Sequence, residues 1–153
     1  MKIGKIDSFD GRESEAILLP EFKRVWVGTS VTAAEWCALD VSDILANDRC
    51  TVVDANSGTL EGKGGICGVF TATVDGATTP QFTTIQVAGK YENAVVNTST
   101  AEGDPLVASG TAGEAGLGSG VSTNDYRIAG IALEVDTAGV ADVLIYKHPA
   151  FLR

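Results

Sequence analysis

The chain carries one histidine in 153 residues, and that scarcity narrows the available chemistry at once. His148 stands beside Pro149 with no cysteine or second histidine near it, and neither a general base nor a metal ligand works alone. Cysteines are also few. Cys37, Cys50 and Cys67 lack the C-x-x-C spacing of zinc and dithiol sites, so buried free thiols are the expected state. No apolar run approaches the roughly 18 residues that cross a bilayer. Lys2 and Lys5 are followed by Asp7, Asp10 and Glu13, not by the apolar core of a signal peptide, so the chain is expected to stay in the cytoplasm after synthesis. Clustered basic residues are missing too. With 20 acidic and 11 basic side chains the formal net charge is −9, a sign that repels phosphate backbones and favours solubility. Neither nucleic acid nor membrane is expected as a partner.

The motifs that would supply chemistry fall short. Gly62-Lys63-Gly64-Gly65 places a lysine among glycines but lacks phosphate-loop spacing and a following helix, so it reads as a turn before a strand. Asp54-Ala55-Asn56-Ser57-Gly58, with Glu61 beyond, alternates oxygen-bearing side chains before a glycine. Its ligand count stays below the roughly 6 to 8 oxygens that calcium takes, and the same residues make ordinary turns. No pair of carboxylates is placed for acid/base work. The expectation is a protein that is not an enzyme, with no cofactor and no metal.

What the chain has is glycine, 18 residues of it, recurring between short apolar runs in a sequence that is 44% apolar. That pattern predicts an all-β fold of many short strands joined by turns. Strands are expected at Val25-Trp26-Val27, Glu35 to Leu39, Cys50 to Val53, Gly65 to Val74 and Phe82 to Val87, with Tyr91 to Val96 continuing the sheet. Two more are expected at Tyr126 to Glu134 and Val140 to Tyr146, joined by a hairpin turn over Val135 to Gly139. Val41 to Ala46 suits one helical turn capped by Ser42. Trp26, Trp36, Phe70, Phe82, Tyr91 and Tyr126 lie among apolar neighbours and are expected in the core. Gly110 to Asn124 is glycine-rich and reads as a long loop free to mould to a neighbour.

Residues 1–24 differ from the rest: charge mixed with Ala16-Ile17-Leu18-Leu19, halted at Pro20. They read as an extended arm or edge strand that cannot bury Leu18, Leu19 and Phe22 alone and lies against its own domain or a neighbouring subunit. Removing residues 1–23 is expected to leave the β core folded. Residues 25–153 form the β domain, within which two weakly repeated modules, about 25–97 and 98–147, can be traced.

Ala101-Glu102-Gly103-Asp104-Pro105-Leu106-Val107, then Ile128-Ala129-Gly130-Ile131-Ala132-Leu133-Glu134, then Ala141-Asp142-Val143-Leu144-Ile145-Tyr146, resembles the pattern of small tailed-phage capsid decoration proteins, also called cement or head-stabilising proteins. The resemblance covers roughly residues 98–147. In the first half, Glu35-Trp36 and Gly68-Val69-Phe70-Thr71 stand where the pattern has Gly-Asp and Gly-[IV]-Ala-Leu. The resemblance implies small β-barrel, β-tulip or sandwich-like modules that assemble as homotrimers on the capsid exterior, after synthesis in the host cytoplasm, and clamp adjacent major capsid proteins without catalysing anything. Under that reading Ile17, Leu18, Leu19, Phe22, Leu117, Phe151 and Leu152 are the expected capsid or subunit contacts. The alternative is a receptor- or glycan-binding module of a head fibre or tail.

Overall fold

The computed structural model describes residues 18–47, 50–56, 58, 66–117 and 128–147. The fold is all-β and is built on one long strand shared by two rings. Strand β1 (Glu21–Val27) is followed by β2 (Ser30–Val31), β3 (Trp36–Leu39), helix α1 (Val41–Asn47), β4 (Thr51–Asp54), β5 (Ile66–Phe70) and β6 (Val74–Asp75). The long strand β7 (Gln81–Val95) comes next, then β8 (Pro105–Ala108), β9 (Ala115–Leu117), β10 (Gly130–Ala132) and β11 (Val140–Ile145). The order β1-β4-β3-β5-β7, with β7 pairing back onto β1, closes a five-stranded barrel. Beyond Ala88 the same β7 pairs with β11, and β10, β8 and β9 follow in turn. β9 then returns to the end of β7 through a parallel bridge, Val96 to Ala115, so a second ring is completed. A sheet closed on itself leaves fewer open edges to invite pairing with other chains.

Glycine makes the handover possible. Gly89 sits at φ +90, where β7 leaves one ring for the other, and a Cβ there would collide with the Leu19 carbonyl. The chain entering β1 thus crosses directly over β7 at a residue with no side chain. Lys147 Nζ, 2.5 Å from Glu21 Oε2, ties the end of the second ring to the start of the first.

Alternation along β3 and β5 fuses the two cores. Cys37 and Leu39 face the first barrel with Val25, Val27, Val52, Phe70, Ile85 and Val87. Trp36 and Ala38 face the other way, into a cluster with Val96, Leu106, Ala129, Val143 and Ile145 of the second ring. Residues buried on both faces of a strand are what a wall between two cores requires. Trp36, wholly buried, donates its indole N–H to the Val95 carbonyl at 2.9 Å, and Tyr91 donates its hydroxyl to the Phe70 carbonyl at 3.1 Å. Both bonds tie the wall to the second half of β7.

Several local expectations change. Strand β1 starts at Glu21, so residues 21–24 take the strand alternative and belong to the sheet; a chain lacking residues 1–23 loses Glu21 to Lys23 from a closing strand of the barrel, and its core cannot be expected to stay intact. The run from Gly65 to Val74 is two strands, because Thr71 turns its backbone N–H and hydroxyl onto the Thr84 carbonyl and the chain bends there. Helix α1 is capped by Asp40, whose carboxylate accepts the Asp43 N–H at 3.0 Å; Ser42 only donates its hydroxyl to the same oxygen. Part of the glycine-rich stretch is strand: Ala115, fully buried, leads β9 against β8. The hairpin between β10 and β11 is present, with Ala138 and Gly139 both at positive φ between bridged Thr137 and Val140, as a type I′ turn requires. Cys50 is exposed and not buried, because it precedes β4 at the rim of the barrel. Ile17, the arm before it, Gly62 to Gly65, Glu61, Tyr126, His148, Phe151 and Leu152 lie outside the described residues.

Candidate docking surface

In β1 the odd residues Val25 and Val27 fill the barrel, which sends Phe22, Arg24 and Trp26 outward. Their antiparallel partners on β7 are Gln86, Thr84 and Phe82. Phe82 has the opposite parity to Ile85 and Val87, which are fully buried, so its ring is forced onto the outer face, 44% exposed. The core position expected for Phe82 is therefore wrong, and Trp26, only half-buried, shares the outer face with it. Trp36 and Phe70 are fully buried as expected, and Tyr91 packs partly buried against the central cluster.

On that outer face the side chains organise one another. The Trp26 and Phe82 ring centroids are 3.7 Å apart at an interplanar angle of 34°, and the Arg24 guanidinium carbon lies 4.1 Å from the Phe82 centroid. Aromatic contact and cation–π attraction hold three large side chains in one arrangement before any partner arrives. Phe22, 53% exposed, extends the patch along β1, and exposed Leu18 and Leu19 precede it. On the other flank β1 pairs in parallel with β4, Trp26 opposite Thr51. Thr51 donates its hydroxyl to Asp43 of α1, so the helix lies on the same outer side as Trp26. From it Val41 and Leu45, one helical turn apart, face solvent. Large exposed aromatic side chains with an arginine packed on them are the composition of protein-binding hot spots.

Of the expected contact residues, the structure gathers Leu18, Leu19 and Phe22 at this face. Leu117, on β9, does not join them: β9 is bridged to Val96 at the far end of β7, whereas Phe82 stands near the start of that strand. Arg24, Trp26 and Phe82 are the members that sequence reasoning missed. The broken parity of Phe82 against Ile85 and Val87 was the available signal.

Acidic groups elsewhere are engaged or isolated. Asp54 has one carboxylate oxygen that is buried and, among the described residues, without a hydrogen-bond partner. Burial, with a smaller push from Glu35, raises its pKa to about 6. Asn56 accepts the Gly58 N–H at 2.8 Å, an ordinary turn within the stretch weighed for calcium. Among the described residues no three His, Cys, Asp or Glu side chains come together as a metal site. Asp142 is held below its usual range by Lys90, 2.7 Å away.

No protein-family description matches the chain, and no curated protein does. A solved structure does: the N base of the head fibre protein gp8.5 of bacteriophage phi29 superposes with a TM-score of 0.57 over 84% of this chain and 95% of that one, at 16% sequence identity. At that identity the likeness is one of fold alone.

Proposed function

We propose that the protein is a structural component of a tailed-phage head, seated on the capsid exterior, where it decorates and stabilises the shell by bridging adjacent major capsid proteins as a homotrimer. The observation that carries this reading is the outer face of β1 and β7, a pre-arranged set of Arg24, Trp26 and Phe82 flanked by Phe22, Leu18 and Leu19. Those residues have no packing duty toward the barrel interior, and leaving them in water has a cost that a partner surface would remove. Two fused closed barrels suit a part that must resist deformation, and the fold likeness to a head-fibre base supports a place on the phage head. The protein has no catalytic task under this reading.

The alternative, a receptor- or glycan-binding module of a head fibre or tail, draws on the same exposed aromatics. The ring of Phe82 is already engaged by both Trp26 and Arg24, which leaves it poorly placed to stack on a sugar. Cosedimentation with undecorated capsids tests the proposal: the protein should pellet at a fixed stoichiometry and raise the temperature at which the shells break. Phe82→Ala should weaken that binding by tenfold or more, about 1.4 kcal/mol or above, with little change in melting temperature. A protein that stays in the supernatant, or a Phe82→Ala variant that binds as well as the parent, contradicts it. Light scattering on the isolated and the bound protein reports whether the trimer exists.

A further inference from the structure

Two of the three cysteines meet inside the first barrel. Cys37 on β3 and Cys67 on β5 are both buried to within 1% of full exclusion, and their sulfurs are 3.7 Å apart. Plain alternation would not arrange this, because Cys37 is directly opposite Gly68. The register slips between Cys37 and Ala38, which pair with Gly68 and Ile66, so Cys67 is the extra residue of a bulge. The bulge re-phases β5. Ile66 and Val69 face the second ring, whereas Cys67 and Phe70, three apart, both face the first. Gly68 allows the distortion, since a Cβ there would lie 2.6 Å from the Gln86 carbonyl oxygen.

We propose that Cys37 and Cys67 are an oxidation site: a peroxide converts them into an intramolecular disulfide that staples β3 to β5 in the wall between the two rings. Side chains on adjacent strands that share one face and touch through sulfur need only small rotations to reach bonding geometry. The chemistry balances with hydrogen peroxide as oxidant. One cysteine loses its proton and its sulfur attacks a peroxide oxygen; the O–O bond breaks, hydroxide leaves, and a sulfenic acid forms. The second sulfur then displaces that hydroxyl, which departs as water with the second thiol's proton. Two thiols and one hydrogen peroxide yield one disulfide and two waters. Burial pushes the Cys37 thiol well up, and the hydrogen bond with Cys67 pushes it further, so it ionises reluctantly and the reaction is slow. A small uncharged oxidant suits such a site better than a bulky disulfide. The link would span 30 positions of chain, a loop long enough to constrain the unfolded ensemble appreciably.

The test uses the full chain with Cys50→Ser, which removes the exposed thiol and its intermolecular products. The folded protein is treated with hydrogen peroxide, then denatured, alkylated and mapped by mass spectrometry. The expected product has lost two hydrogens, contains a Cys37–Cys67 linked peptide and reverts with dithiothreitol. Its melting temperature should rise by about 10 °C, and the rise should vanish when Cys67→Ser is added. Two alkylatable thiols after treatment, or sulfinic acid in place of the cross-link, would overturn the proposal and leave the pair as two small apolar space-fillers.

Discussion

At the scale of single residues, burial and charge make opposite demands, and Asp54 shows the conflict in one side chain. Its raised pKa means that the folded protein holds a proton more tightly than the unfolded chain, whose carboxyl titrates near 3.8. Stability from this group is therefore greatest below about pH 4, falls as pH rises through about 6, and stays reduced above that. Asp54→Asn should be more stable than the parent at pH 7, by about 1 kcal/mol once the group's partial exposure to water is allowed for, and the advantage should shrink toward pH 4. Urea melts at the two pH values check this; an equal difference at both would show that charge is not the cause. Ala138 carries a smaller strain. It sits at φ 55 in the turn before Gly139, a conformation that asparagine tolerates better. Ala138→Asn should raise stability by about 0.5 kcal/mol, read from the urea midpoint at unchanged slope.

At the scale of elements, β7 is where the fold is decided. Its first half completes one barrel and its second half starts the other, and Gly89 marks the change. Gly89→Ala should cost about 2 kcal/mol or more, because the new methyl group collides with the Leu19 backbone at an already left-handed residue. Thermal melts of this variant beside Gly103→Ala give the comparison: Gly103 also has positive φ, but open space surrounds it, so the smaller loss belongs there. Much of this scale was legible in the sequence. The all-β class, the β10–β11 hairpin and the strands around Val25, Trp36, Val52 and Phe82 followed from apolar runs broken by glycine. The bulge in β5 was not legible, since nothing in Gly65 to Val74 distinguishes a re-phased strand from a regular one. Nor was the single continuous β7: Phe82 to Val87 and Tyr91 to Val96 stood as separate runs, and Gly89 between them serves as a crossing point. The docking face was half visible: Leu18, Leu19 and Phe22 stood out, whereas Trp26 and Phe82 looked like core until partner strands fixed which way each side chain points.

At the scale of the whole molecule, two rings share a strand and a common wall of β3 and β5, so neither core closes without the other. The outcome is a body that carries an exposed aromatic face with Arg24 packed on it and a net charge of −9 overall. On a phage shell, such a body can spread load between neighbouring subunits through contacts alone. The most direct test is a cryo-electron microscopy reconstruction of capsids incubated with the purified protein. Density for the protein is expected on the capsid exterior in groups of three between adjacent major capsid subunits, with Phe22, Arg24, Trp26 and Phe82 turned onto a capsid or subunit neighbour. Bare shells, or bound protein with that face pointing into solvent, would contradict it.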